Sequence, residues 1–532
     1  MARAAGSATP GFATQQLGSS VPSHHELVRI HDVCIVPCCA VPRLKTYPIS
    51  SEPFGWHGSE LMMMQAPNSR ARTSTAALEP TISAGLDNRL ALIDHGLFTQ
   101  HRGIGRNLVI QCVWVYEHAI DFDRVRSFHS NLGNGLLGRR IERSPLPFGW
   151  HRWVLDRGPW AFDIEERPRP RVALGDWVDE RSQMTIDPES GPGWHLGVLP
   201  LEDGSTAVSL VVSHYLIDGL GLAAVVVDAL LGNTRELPYP CPQSPRRLRA
   251  VARDARQTVR DSSEVARAVR LAARLARQRR RETAQSPSLR PAPTPLRRAA
   301  DDDTLVVPGI TMRIDLADWD ARADALGGTS NTLTAGFAAK LGEHLGRRRA
   351  VDGAVTLQLP MSDRVEGDTR ANAMLIGRVS VDPTGVTTDL RDIRAAIRQE
   401  LKTLREKHDE SLQLAWLLSF TPKRALRRMN EATVADPDHP VFCSNLGDVG
   451  SVVNRLDGTD AEYATARVTA QRETRQWLER TGGQLILQSL RIPGSFIISV
   501  DAYQPGFENT KPALRELAAG TLAEFGLAGR IE

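Results

Sequence analysis

Between residues 205 and 231 the sequence passes from a largely apolar run, 207–212, through the hexapeptide His214-Tyr-Leu-Ile-Asp218-Gly219 into an apolar stretch with helical spacing. A run of that length bounded by a turn is a buried strand, so the block specifies strand (205–213), tight turn and helix (221–231) in succession. His214 then leaves the strand at its carboxyl end, where open α/β sheets hold their ligands. An imidazole has a near-neutral ordinary pKa and can take a proton from a hydroxyl or an amine. Asp218 can orient that imidazole or hold the loop by pairing with a cation elsewhere, and Gly219 lets the backbone turn where a side chain would block a channel. A purely structural pairing of His214 with Asp218 stays open at this point. Gly219-Leu-Gly221-Leu-Ala-Ala224 also fits the GxGxxA dinucleotide pattern, which needs an acidic residue about twenty positions on. The chain has Leu237-Pro-Tyr-Pro-Cys-Pro242 there, so that reading is set aside.

The chain of 532 residues exceeds what one ordinary core organises, and two domains with appendages are expected. A net charge of +3 conceals an uneven distribution: residues 244–298 carry sixteen arginines against Asp254, Asp261, Glu264 and Glu282. This segment reads as a long helix or helix pair over 244–285, broken by Pro287, Pro291, Pro293 and Pro295. It divides the chain into a leader (1–85), a first half (86–240), a basic connector (241–303) and a second half (304–532). The connector suits a solvated crossover or a basic amphipathic helix on an anionic membrane or lipid droplet surface. No nucleic-acid-binding signature accompanies it, and nucleic acid is not expected as a partner.

No apolar stretch is long enough to span a bilayer and no secretory pattern opens the chain, so a cytoplasmic protein is expected, with peripheral contact at the inner membrane face. Six cysteines in so long a chain are not a disulfide framework. His24, His25, His31, Cys34, Cys38 and Cys39 lack CxxC spacing, and no metal is assigned to them. The leader lacks sustained periodicity; poor order is expected there, with Met62, Met63 or Met64 as alternative starts.

Strands are expected at 107–116, 195–201 and 354–359. Helices are expected at 121–141, with Val125, Phe128, Leu132 and Leu136 on one face, and at 333–349 and 513–525. Residues 485–490 and 495–500 form a hairpin across Pro493-Gly494. Strands alternating with helices give an α/β sandwich.

Four further segments follow His214 or precede it in a telling order: Leu92-Ile-Asp94-His-Gly-Leu-Phe98, Leu359-Pro-Met-Ser-Asp-Arg364, Ala371-Asn-Ala-Met374 and Cys443-Ser-Asn-Leu-Gly447. Together with the hexapeptide they resemble the wax ester synthase/diacylglycerol acyltransferase branch of the condensation-domain superfamily, which also contains chloramphenicol acetyltransferase. The resemblance runs from about Leu90 to Leu527 and takes in Pro145-Leu-Pro-Phe-Gly-Trp150 and Asn331-Thr-Leu-Thr. The family has HHxxxDG, and the first histidine of that pair is Ser213 here; its GN is Ala371-Asn372, and the proline of its SN segment is absent after Leu446.

The resemblance implies two chloramphenicol acetyltransferase-like α/β sandwich halves forming a V, with the active site in the channel between them. It implies an acyltransferase without a cofactor, in which acyl-CoA is a substrate and a lipid alcohol (diacylglycerol or a long-chain alcohol) the acceptor. His214 is then the general base. Asp218, Gly219 and Arg364 hold the site together, with Asp218 paired to Arg364, and Ser213, Asn372, Ser444 and Asn445 line the substrate channel. Ser444 and Asn445 fit equally a turn-capping role. Direct attack needs no acyl-enzyme, in keeping with a chain that has no GxSxG motif. Two alternatives remain: a condensation reaction on a carrier-protein thioester with an amine or polyketide alcohol, and an inactive acyl-binding homologue.

Overall fold

The computed structural model describes residues 88–532 apart from 147–148, 235, 244–246, 285–302, 366 and 422–435. The leader, its histidines and cysteines and the proline-rich end of the connector lie outside the described residues. In chain order the elements are α1 (Leu92–Ile104), β1 (Asn107–Tyr116), α2 (Phe122–Gly133), β2 (Arg139–Glu142), β3 (Arg152–Leu155), β4 (Ala161–Ile164), α3 (Leu174–Ser182), β5 (Trp194–Pro200), β6 (Thr206–Ser213), α4 (Gly219–Leu230) and α5 (Arg247–Ala284). They continue with β7 (Thr304–Leu305), β8 (Gly309–Asp315), α6 (Leu316–Ala325), α7 (Ser330–His344), β9 (Val355–Ser362), β10 (Met374–Val381), α8 (Arg391–Phe420), β11 (Val441–Asp448), β12 (Tyr463–Gln471) and β13 (Glu473–Thr474). The chain closes with α9 (Arg475–Thr481), β14 (Gln484–Ile492), β15 (Ser495–Tyr503), α10 (Lys511–Glu524) and β16 (Arg530–Ile531).

The architecture is α/β with two mixed sheets. A five-stranded sheet has the order β12-β1-β6-β5-β4, and a seven-stranded sheet the order β10-β9-β11-β14-β15-β8-β16. In the first, β6 is buried at every residue and lies between β1 and β5, which explains its apolar composition. Helices α2 and α4 cover one face of it through Val125, Phe128, Leu132, Leu222 and Val226. In the second sheet the core is built on Met312, Ile314, Leu357, Leu487 and Ile498, with Trp319 stacked on Phe496.

The helix expected over 121–141 is shorter. Asp121 caps it, accepting from the backbone of Asp123 and Arg124, and it stops at Gly133. Gly133, Gly135 and Gly138 break the helical backbone, and residues 139–142 become a strand paired with β3. Of the four predicted inward residues, Val125, Phe128 and Leu132 are buried on the helix as the spacing requires, and Leu136 is buried beyond its end.

Sheet membership does not follow the chain. Strand β12, from the last quarter of the sequence, pairs antiparallel with β1 from Asn107↔Gln471 to Val115↔Tyr463. It therefore forms the edge of the first sheet, while β11 before it and β14 after it belong to the second. An apolar cluster spans this junction, with Val113, Val115 and Tyr463 meeting Leu490, Ile492 and Ile497. Beside it Arg467, buried on β12, donates to Gln111 Oε1 (2.8 Å), Asp179 Oδ1 (2.7 Å) and Asp501 Oδ1 (3.4 Å). Gly309 leaves room for this arrangement: a Cβ there would stand 2.7 Å from both the Arg467 guanidinium and the Asp501 carboxylate.

One guanidinium thus serves two carboxylates, and Asp179 takes the shorter contact. Burial pushes Asp501 up to about 7 from an ordinary 3.8, Arg467 opposing and Asp179 adding to the rise. A raised folded-state pKa stabilises the fold fully below the unfolded value, and that stabilisation is lost as pH rises through about 7. Asp501→Asn should remove this dependence, which can reach about 1.4 kcal/mol per pH unit for one proton. Denaturant midpoints across that window should fall with pH in the wild type and flatten in the variant; parallel curves would place the proton elsewhere.

Candidate active site

His214 stands one residue past the end of β6, and its backbone N–H donates to Leu108 O (2.9 Å), which carries the antiparallel ladder one step beyond the strand. The chain then turns within five residues into α4. Asp218 makes that turn possible by capping the helix: its Oδ1 accepts from Gly221 N (2.7 Å). Its second oxygen, Oδ2, accepts from Ala373 N (2.9 Å) and meets Arg364 Nη2 (2.7 Å). The hydrogen bonds of Asp218 go to the helix end and to the β9–β10 loop, not to the imidazole. Of the two roles open to this carboxylate from sequence, the geometry displays the pairing with Arg364.

The β9–β10 loop, between two strands of the second sheet, reaches across to the first half. Arg364 folds the loop on itself, donating to the carbonyls of Arg370 (3.2 Å) and Ala371 (3.0 Å) while it holds Asp218. A second buried carboxylate, Asp94 on α1, accepts from Ala371 N (2.9 Å), Asn372 N (2.7 Å) and Asn372 Nδ2 (3.3 Å). Burial raises the Asp94 pKa, and the backbone donors of Ala371 and Asn372 pull it down. The Asn372 amide also lies 3.3 Å from the carbonyl of His214, and Asp218 N donates to Ala371 O (2.8 Å).

Arg139 completes the framework from β2. Its guanidinium is wholly buried, lies 3.9 Å over the Trp153 ring, and donates to Leu216 O (2.7 Å) in the histidine loop and to Thr369 O (2.5 Å) in the crossing loop. Asp94 and Arg139 were not singled out from sequence. Asp94 sits in the quoted Leu92–Phe98 run, and its signal was a lone acid in an apolar stretch. Arg139 was hidden inside an expected helix; the glycines at 133, 135 and 138 were the sign that a strand, with its alternate residues buried, starts there.

The remaining residues named from sequence have other surroundings. Ser213 is buried with no hydrogen-bond partner for its Oγ. Ser444 and Asn445 lie within strand β11, not in a turn between strands. Asn445 donates to Asn331 Oδ1 (2.6 Å) at the start of α7 and accepts from Gly447 N (2.7 Å). The tie between this segment and the histidine loop is Leu446, whose Cδ2 would stand 2.8 Å from a Cβ at Gly219; a glycine is needed there for close approach rather than for an unusual φ.

His214 is half-buried, and its Nδ1 has no hydrogen-bond partner. Burial lowers its pKa below 6.5, against the opposing pull of its own carbonyl, Asp218 and Asn372. His101 on α1 is a second neutral imidazole nearby: burial, Arg106 and His214 hold it at about 3, and its ring stands edge-on to Tyr215 at 5.8 Å. A neutral imidazole on a loop fixed from α1, β2 and the crossing loop is suited to accept a proton from a bound hydroxyl or amine. Two clefts of about 500 and 610 Å³ lie elsewhere, one along 163–169 and the other at the 133–138 turn, and neither is lined by a motif residue. Among the described residues no cluster of histidine, cysteine or acidic side chains has metal-binding geometry.

Asp218→Asn and Arg364→Ala should each destabilise the fold by about 3–5 kcal/mol, because removing one partner strands the other as a buried charge or donor. The double variant should cost much less than the sum of the two. Strict additivity in denaturant titrations would show that the pair does not act as a unit.

No protein-family model matches the sequence, and no curated protein matches it. Solved structures do. The chain is similar to the nonribosomal peptide synthetase FmoA3 at 19% identity and a TM-score of 0.45, over 84% of this chain and 44% of that one, so it spans less than half of FmoA3. It is similar to the first condensation domain of the calcium-dependent antibiotic synthetase at 13% identity and a TM-score of 0.48, over 84% of this chain and 100% of that one. The wax ester synthase/diacylglycerol acyltransferase from Marinobacter aquaeolei VT8 is similar at 15% identity and a TM-score of 0.45, over 82% of this chain and 100% of that one. The solved structures to which this chain is similar thus include a condensation domain and a wax ester synthase/diacylglycerol acyltransferase.

Proposed function

We propose that this protein is an O-acyltransferase that moves a fatty acyl group from acyl-CoA to a lipid alcohol, with His214 as general base. The observation that carries the reading is the neutral imidazole at the end of β6, on a loop that Asp218, Arg364, Arg139 and Asn372 fix from several directions. His214 removes the proton from the alcohol, and the oxygen attacks the thioester carbonyl. As the carbon–sulfur bond breaks, the imidazolium returns its proton to the leaving thiolate, so the base is regenerated within one turnover. No cofactor enters this sequence. Asp218 and Arg364 act by position: a charge-assisted pair holds the loop that aims the ring.

His214→Ala should lower ester formation by about 10²–10⁴-fold while leaving thermal unfolding unchanged. Turnover within a few-fold of the wild type would remove His214 from the mechanism. Thiol release from acyl-CoA, measured against a series of alcohols and amines and against carrier-protein thioesters, assigns donor and acceptor; turnover with carrier thioesters alone would replace CoA as donor.

The pH profile follows from the same geometry. The neutral ring is the active form, and burial lowers its pKa, so the acid limb of kcat/KM should fall below pH 6.5. A limb at or above that value would assign the base to another group.

A further inference from the structure

The connector helix α5 is docked by its acids. Asp254, Asp261 and Ala268 recur every seven residues and are buried along one stripe. Asp254 pairs with Arg152 (2.9 Å) and accepts from Ser144 Oγ (2.5 Å), and Asp261 faces Arg89 (3.9 Å). Turning both aspartates inward leaves a different composition outside. Arg256, Arg260, Arg270 and Arg274 are exposed, and the remaining acid of 247–277, Glu264, is matched by Arg267 at 2.5 Å. Among these arginines Leu248 is 83% and Val259 73% exposed, and their spacing of eleven residues puts them on one line along the helix.

Charge and apolar residues on one face select among partners. A polyanion such as nucleic acid engages the arginines and leaves Leu248 and Val259 in water. A bilayer with anionic headgroups takes both, because a basic amphipathic helix lies in the headgroup plane with its apolar residues inserted. We infer that the outward face of α5 rests on the surface of an anionic lipid bilayer. The position gives this a use, which rests on the acyl-transfer reading: α5 packs on α8, and α8 on α1, the helix that carries Asp94 and His101. The lipid surface then lies against the helical layer that backs the catalytic loop, where a long-chain acyl donor and an ester product concentrate.

Flotation of the full chain with phosphatidylcholine vesicles, with and without phosphatidylglycerol, tests this. Binding is expected to the anionic vesicles only, and to weaken with salt as headgroup attraction is screened. Arg256→Gln, Arg260→Gln, Arg270→Gln and Arg274→Gln should each lower the partition coefficient about five-fold, and the four together by several hundred-fold. Leu248→Ser with Val259→Ser should lower it further at high salt, where the apolar contribution dominates. These residues stand outside the catalytic loop, so melting and turnover of a water-soluble thioester and alcohol should be unchanged. Failure to float at low salt overturns the inference, as does a quadruple variant that floats like the wild type. Capture on heparin unaffected by the Leu248 and Val259 changes, with no flotation, assigns the face to a polyanion instead. Flotation needs no turnover, so a chain that floats but transfers no acyl group refutes the acyl-transfer reading and leaves the surface standing.

Discussion

Everything at the histidine loop depends on how two buried carboxylates are satisfied. Asp94 and Asp218 sit on different elements of the first half, and neither depends on a side chain alone. Between them they accept the consecutive backbone N–H groups of Ala371, Asn372 and Ala373. A buried carboxylate is costly unless its lone pairs are filled, and three main-chain donors from one segment fill them with fixed geometry. A shift of the loop by one residue would break these three main-chain hydrogen bonds at once, and this sets the register of the second half on the first. Arg364 supplies the counter-charge to Asp218, and Arg139 ties the same loop to Leu216.

Under the proposed acyl transfer, rigidity of this kind has a chemical purpose. A general base of reduced basicity gains from burial only if its ring is held where the proton will be, since a small misplacement costs orders of magnitude in rate. The main-chain bond of His214 to Leu108 and the amide of Asn372 at its carbonyl restrain the backbone that carries the ring. Ser213, just before the histidine, keeps its place in the β6 ladder opposite Val109.

Much of this was legible in the sequence because the local signals agree with the fold. The apolar 207–212 run, the glycine after Asp218 and the helical spacing beyond it each point to strand, turn and helix, and the chain obeys them to within two residues. The strand 107–116 is the same in both descriptions, because an unbroken β-rich run has no competing helical period. What the sequence concealed is non-local. Nothing in residues 463–471 says that their partner is β1, 348 to 364 positions earlier, since β-pairing carries no address in composition. Arg139 looks like any surface arginine until Trp153, Leu216 and Thr369 close around it. In the connector, heptad-spaced aspartates among sixteen arginines read as charge balance, whereas the fold uses them as the docking stripe.

The placement of β12 in the first sheet has a consequence for how the molecule comes into being. A ribosome delivers α1 through β6 long before it delivers residues 463–471, so β1 emerges with one edge unpaired. An apolar strand with open main-chain donors and acceptors invites pairing with another chain, and non-local closure of this sort is slow. Until most of the polypeptide has left the tunnel, the nascent first half is an open sheet in need of shielding. Cutting the gene at the connector would make that transient exposure permanent in a fragment containing only the first half.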